Sequence, residues 1–139
     1  MNRQDEANER AAIRHIQAIY NTDGDRGRID ALVEVFARDG VLEILGEQYK
    51  GRDVIHRYLS DVATNGAPGV DLSFSRHHLS TSRIEFDGPD AAQGWTYFFV
   101  MRKGEVLQEG TYVDRFAKSG SDWLIAHRRV KLVWTKGEA

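Results

Sequence analysis

The side chains of this chain best suited to exchanging a proton near neutral pH are its five histidines. There is no cysteine to serve as a thiolate nucleophile or a zinc ligand. Two histidines, His77 and His78, are adjacent in a stretch that alternates like a β-strand, Leu72–Phe86. Successive strand residues point to opposite faces, so one of the two looks inward and the other outward. His77 shares parity with Leu79, whereas Ile84 and Phe86 have the other parity. One extra residue within Ser80-Thr81-Ser82, a β-bulge, puts all four on one face and favours His77 as the inward one. His15 and His56 fall among polar residues on helices and read as surface. His127, on the last strand with Trp123 and Ile125, is a weaker candidate. No histidine pair has the i, i+4 spacing or the carboxylate company of a metal site, so neither a metal nor a cofactor is expected.

Asp25 stands just before a second helix, in Asp25-Arg-Gly-Arg-Ile-Asp-Ala-Leu. A turn or cap role suits any aspartate there, and Asp23 and Asp30 compete for it. Tyr20 lies just upstream, so the end of the first helix can bring its phenol near Asp25. Tyr49, Tyr97 and Tyr112 are further phenol donors. Arg128 alternates with Arg129 and shares a face with Leu124, Ala126, Val130 and Leu132. An arginine amid apolar side chains needs an anionic partner: a pocket carboxylate, a substrate oxygen or a subunit interface.

The elements that must position these groups change period midway. Ile13, Ile16 and Tyr20 mark a helix from about Asp5 to Asn21, followed by the turn-rich Asn21-Thr-Asp-Gly-Asp-Arg-Gly. Ile29, Leu32, Val33 and Phe36 mark a second helix, ended by Asp39-Gly40. Val41–Leu45 reads as a strand with a hairpin return at Glu47–Lys50, and a third helix runs from about Arg52 to Ala63. After a loop at residues 65–69, four long strands follow: Leu72–Phe86, Gln93–Arg102, Val106–Phe116 and Trp123–Trp134. Their short links demand antiparallel hairpins. The result is an α+β fold, with helices covering one face of a curved antiparallel sheet in a cone whose open mouth suits a small molecule. In Gln93–Arg102, Trp95, Tyr97, Phe99 and Met101 oppose Phe98 and Val100, so both faces are apolar and a homo-oligomer is expected to cover the outer one.

At 139 residues the chain reads as one domain, 1–139. With 21 acidic against 19 basic residues and a net charge of −2, a nucleic-acid partner is disfavoured. No stretch approaches 18 apolar residues, which argues against a membrane helix. The charged start, MNRQDEANERAA, does not resemble a secretory signal, so a cytoplasmic location is expected.

Several of these segments, in order, resemble the SnoaL-like branch of the nuclear transport factor 2-like superfamily. They are the helix ending near Tyr20, the run from Asp25 to Gly40, Tyr49-Lys-Gly-Arg, His77-His-Leu-Ser-Thr-Ser, Gly110-Thr-Tyr and Trp123-Leu-Ile-Ala-His-Arg-Arg. The resemblance covers about residues 8–134 and is greatest to the branch of scytalone dehydratase, bile-acid 7α-dehydratase and lindane dehydrochlorinase. It implies an Asp before helix two that orients a His on the first long strand, the His being the general base of an elimination; Asp25 and His77 match. An Arg on the last strand matches Arg128, and a Tyr before the Asp matches Tyr20. Those dehydratases carry a second His or Asp on the next strand. This chain has Trp95-Thr-Tyr-Phe-Phe-Val-Met-Arg there, leaving Tyr97 or Arg102 to substitute. The expectation is therefore a cofactor-independent lyase or isomerase on a small hydrophobic cyclic molecule. Asp25, His77, Tyr20 and Arg128 are its catalytic candidates, and Tyr49, Tyr97, Phe36 and Trp95 its aromatic substrate contacts. A polyketide-type cyclase and a non-catalytic small-molecule-binding module are the alternatives. The resembling dehydratases favour a trimer over a dimer.

Overall fold

The computed structural model describes residues 1–67 and 69–137, in which three α-helices and a 3-10 turn, all ahead of the four long strands, pack with a six-stranded sheet. Helix α1 spans Arg3–Asp25 and opens with a capping box between Asn2 and Asp5. Its inward stripe, Ile13, Gln17, Tyr20 and Asn21, is buried, as the apolar spacing requires. The turn-rich segment expected after Asn21 remains helical through Asp25, and the chain turns only at Gly27, whose φ is +71°. The second helix is shorter than its apolar spacing predicts. Helix α2 covers Ile29–Leu32, a 3-10 turn takes Val33–Val35, and Phe36 already begins strand β1, Phe36–Ile44. Phe36 is fully buried in both readings, because its extended backbone still turns the ring into the core.

Strand β2 (Glu47–Lys50) returns along β1, and helix α3 covers Arg52–Asn65. Pro68, in the loop after it, lies outside the described residues. The long strands are β3 (Arg76–Phe86), β4 (Ala91–Arg102), β5 (Glu105–Ser119) and β6 (Asp122–Thr135). The sheet order is β2-β1-β6-β5-β4-β3. The meander is antiparallel throughout, while β1 joins β6 in parallel, so the sheet is mixed and open.

Two bulges decide which side chains look inward. The pairing of β3 with β4 slips between Leu79 and Ser82, so His77, Leu79, Ile84 and Phe86 all turn toward the helices. A second slip sets Arg115 opposite His127 and Phe116 opposite Ile125, leaving Ala126 as the extra residue. This reverses the expected parity of β6. Arg128 shares the inner face with Trp123 and Ile125, not with Leu124 and Ala126, and His127 lies outside, 3.9 Å from Glu43. Helix α1 lies across the concave face, where Gln17 Nε2 donates to Thr96 Oγ1 at 3.1 Å and Arg10 Nε to the Ile84 carbonyl at 3.1 Å. Ile13, Leu32, Phe36, Leu42, Ile55, Phe98, Phe116 and Ile125 fill the space between.

Candidate active site

Asp25 is the last residue of α1. A carboxylate at a helix C-terminus opposes the macrodipole. Here it is compensated from β3: the His77 backbone N–H donates to Asp25 Oδ2 at 3.0 Å, and His77 Nδ1 meets Asp25 Oδ1 at 2.7 Å. The two residues are 52 positions apart, and only the packing of α1 on β3 joins them. A carboxylate on Nδ1 fixes the tautomer with Nδ1–H and leaves the Nε2 lone pair free. The ring lies over Phe98 at 6.1 Å between centroids, and His77 lines a cavity of about 430 Å³. His78 turns to the outer face and stacks on Phe99.

Apolar side chains of α2, α3 and the sheet, among them Ile29, Leu59, Val62 and Leu132, form most of the cavity wall. Tyr20, Tyr58, Tyr112 and Asn21 bring polar groups to it. Burial pushes the Tyr20 and Tyr112 phenols above the ordinary tyrosine value, with the Arg128 charge pulling partly back. Burial, then the neighbouring Tyr49, raises Tyr58 to about 12. All three remain protonated at neutral pH, so each phenol keeps a hydrogen to donate.

Arg128 and Asp114 are both fully buried and form a bidentate pair, Nε to Oδ1 at 2.8 Å and Nη2 to Oδ2 at 2.9 Å. Burial disfavours the guanidinium charge, and Asp114 outweighs it, so the arginine is held above its usual value. Of the partners the sequence allows for this arginine, the structure supplies a carboxylate inside the core. The guanidinium lies between the Tyr20 ring, 4.3 Å from the centroid, and the Tyr112 ring, 3.9 Å away. Arg128 thus sits behind the cavity wall and supports two tyrosines of that wall.

The expected substrate contacts divide. Phe36 is core, in edge contact with Tyr20. Tyr49 stacks on Tyr58 at 4.0 Å and backs it without lining the cavity itself. Trp95 and Tyr97 stand on the opposite face of the sheet, in an outer groove with Thr81, Arg83 and Thr111. The inward residues of β4 are Thr96, Phe98 and Val100, all buried, so Tyr97 does not reach the His77 cavity. Arg102 is held by the Asp71 and Ser73 carbonyls. Among the remaining histidines, His15 is exposed and His56 pairs with the exposed Asp30.

Several cavity residues carry no distinct signal in the sequence, Asn21, Tyr58 and Gln108 among them. Asn21 was hidden in a turn-like composition, although it stands four residues before Asp25 and so on the same helix face. Tyr58 falls within the apolar stripe of α3 and is indistinguishable there from packing. Gln108 is buried on β5, where it donates to Thr135 Oγ1 at 3.4 Å. Among the described residues no cluster of three or more His, Asp or Glu could hold a metal ion.

A SnoaL-like domain matches residues 5–129, nearly the whole chain, and the protein belongs to that family. An ntf2-like protein with a cystatin-like fold from Novosphingobium aromaticivorans is 23% identical, with a TM-score of 0.81 over 99% of this chain and 88% of that one, and has the same fold. No curated protein matches the chain in sequence. Similar solved structures include Rv3472, a protein of unknown function from Mycobacterium tuberculosis, 27% identical with a TM-score of 0.80 over 95% of this chain and 76% of that one. A candidate scytalone dehydratase from Novosphingobium aromaticivorans is 19% identical, with a TM-score of 0.80 over 98% and 91% of the two chains. LinA is 19% identical, with a TM-score of 0.78 over 99% and 97%. No helix among the described residues is long and apolar enough to cross a membrane.

Proposed function

We propose that the protein is a cofactor-independent lyase of the dehydratase type, or an isomerase, acting on a small hydrophobic cyclic molecule through His77 and Asp25. The observation that carries this reading is the 2.7 Å contact from Asp25 to His77 Nδ1 at the wall of a largely apolar cavity. With Nδ1–H engaged, Nε2 is the nitrogen available to take a proton from substrate carbon. The imidazolium that forms is stabilised by the Asp25 carboxylate. Charge developing on a substrate oxygen would meet the protonated phenols of Tyr20, Tyr58 and Tyr112. The Arg128 guanidinium, neutralised by Asp114, holds the Tyr20 and Tyr112 rings in place behind the cavity wall. The size and lining of the cavity suit a ring-bearing molecule, and the family's dehydratase-like and LinA-like folds are consistent with one.

The reading is tested by extracting the purified protein and identifying co-purified small molecules by mass spectrometry. A hydrophobic cyclic compound lost from a variant with a filled cavity, Leu59→Trp, is expected. A highly charged, extended ligand would overturn the reading. Because Trp95, Tyr97, Val133 and Trp134 are exposed on the outer face, the same proposal includes a homo-oligomer, dimer or trimer, formed there. Light scattering showing a monomer at micromolar concentration would refute that part.

A further inference from the structure

The inner face of the sheet has a second polar point, away from the Asp25–His77 pair. The strand pairing sets His77 opposite Val100, Val100 opposite Gln108 and Gln108 opposite Thr135, one row running from β3 to β6. His77, Gln108 and Thr135 line the cavity, and Val100 is fully buried. Two strand spacings put Gln108 about 10 Å from His77 along the sheet. An amide facing a largely apolar cavity is costly unless it finds partners, and Gln108 finds few. Its Nε2 donates to Thr135 Oγ1 at 3.4 Å, long for such a bond. Its Oε1 has no partner among the described residues, and it is not sealed in the core as the Gln17 and Asn21 amide oxygens are. The Thr135 hydroxyl likewise has no acceptor for its own hydrogen among the described residues. In this orientation of the amide, one amide N–H and the Thr135 O–H remain to donate. In the other, Thr135 donates to Oε1 and both amide N–H groups remain. Two donors are therefore left either way. Lys136, in the adjoining wall, has its ammonium held by Glu105, so this end of the cavity is polar but neutral.

We propose that Gln108 and Thr135 bind a carbonyl oxygen of the substrate, on the side of the ring away from the carbon on which His77 acts. A carbonyl oxygen accepts two hydrogen bonds and brings no hydrogen of its own, which matches two donors in either orientation of the amide. A hydroxyl would bring a third hydrogen, and a carboxylate would find no unpaired cation among the described lining residues. The inference rests on the proposed function for its cavity and its base. It adds Gln108 as a specificity-determining residue and narrows the substrate to a ring system with oxygen functions at both ends, the far one a carbonyl. The separation of Gln108 from His77 suits a skeleton of two fused rings.

The test follows decalin-2,6-dione, 2-decalone and 6-hydroxy-2-decalone, by calorimetry on the full chain and by deuterium exchange beside the carbonyl. The wild type should bind the dione at least ~tenfold more tightly than either other ketone, the scale of one or two neutral hydrogen bonds and beyond the twofold that its two equivalent ends supply. Gln108→Leu should reduce that preference to about twofold while 2-decalone binds within threefold of wild type, and Thr135→Val should reduce it as well. The loss should appear in the KM of dione exchange and leave the rate at saturation unchanged, as a contact remote from the reacting carbon requires. The wild-type series decides even if a variant fails to fold. Affinities equal within twofold, or tighter binding of the hydroxy ketone, overturn the carbonyl site, while accelerated exchange of 2-decalone leaves the proposed function standing. A dione preference that survives in both variants overturns the assignment to Gln108 and Thr135. Failure of the wild type to bind any of the three overturns the proposed function as well.

Discussion

Replacing Asp25 by Asn changes the proposed site by little more than one charge, and its consequences can be worked through from two hydrogen bonds. Asp25 accepts from the His77 backbone N–H at 3.0 Å through Oδ2 and meets Nδ1 at 2.7 Å through Oδ1. An asparagine has only one oxygen for these two donors. If it faces the backbone N–H, its amide N–H₂ faces Nδ1, and the imidazole must move its proton to Nε2. If it faces Nδ1–H, the amide opposes the backbone N–H and leaves that buried donor unmade, at about 1–3 kcal/mol. The first arrangement is the cheaper, so the variant should hold neutral His77 as the Nε2–H tautomer. That tautomer has no lone pair on the nitrogen available to substrate carbon. Loss of a charge-assisted hydrogen bond should also lower stability by about 1–2 kcal/mol, since such bonds contribute about 1.5–3 kcal/mol against about 1 for neutral ones. The assay is ¹⁵N NMR of the imidazole at about pH 8, where an ordinary histidine is neutral, combined with urea denaturation. The wild type should show a protonated Nδ1 and a bare Nε2, and Asp25→Asn the reverse. An equivalent carboxylate-to-amide change in a protease triad lowers turnover ~10⁴-fold through the same tautomer effect. An unchanged tautomer in the variant would refute the orienting role, leaving Asp25 as a helix-terminal residue only.

Arg128→Met should destabilise the chain by about 3–5 kcal/mol in urea melts, because it strands the buried Asp114 carboxylate; Arg128→Met combined with Asp114→Leu should recover much of that loss. Gly110→Ala should lower stability by about 1–3 kcal/mol and displace the Phe98 ring, since a Cβ there would lie 2.5 Å from the Lys131 carbonyl oxygen and 2.6 Å from Phe98 Cε1, as urea denaturation would show. Tyr20 and Tyr112 have raised values in the folded state, so their contribution is whole below the ordinary 10.0 and is lost as pH rises above it. Each should then steepen the alkaline loss of stability by about 1.4 kcal/mol per pH unit, and Tyr112→Phe should shallow the slope measured by denaturation between about pH 10 and 11. Glu9 is held below 4.5, first by its hydrogen bond from Trp123 and then by Lys118, so the stability it contributes is present above that value and falls as pH drops through its lowered one. Glu9→Gln should therefore flatten the acid limb of the same curve.

The order of elements, the four long strands and the choice of His77 over His78 were legible because alternation and turn residues are local signals. The bulge at Ser80–Ser82 was legible because the parity of apolar residues is inconsistent across it. The bulge at Ala126 left no such trace. Leu124 and Ala126 are as apolar as Ile125, so the neighbours of Arg128 could be known only from the pairing with β5. Periodicity assigns Phe36 to the second helix, whereas it begins β1, because either backbone buries its ring. The partner of Arg128 lies 14 positions away on the adjacent strand, and an acid that is buried looks in sequence like any exposed one. Asn21 and Tyr58 were obscured for opposite reasons, one by turn-like neighbours and the other by apolar ones. The outward placement of Trp95 and Tyr97 follows the strict alternation of β4 once Phe98 is known to be buried.

Whether His77 acts as a base on carbon can be measured without the natural substrate. A cyclic ketone small enough for the cavity, 2-tetralone, exchanges the protons beside its carbonyl for deuterium in D₂O, and NMR follows the loss of their signal. Catalytic amounts of the wild-type protein should accelerate this exchange, His77→Ala should reduce the acceleration at least ~100-fold, the scale of general-base assistance, and Asp25→Asn should fall between them or with His77→Ala. Exchange equally fast with wild type and His77→Ala, both folded and both binding the ketone, would contradict a base role for His77.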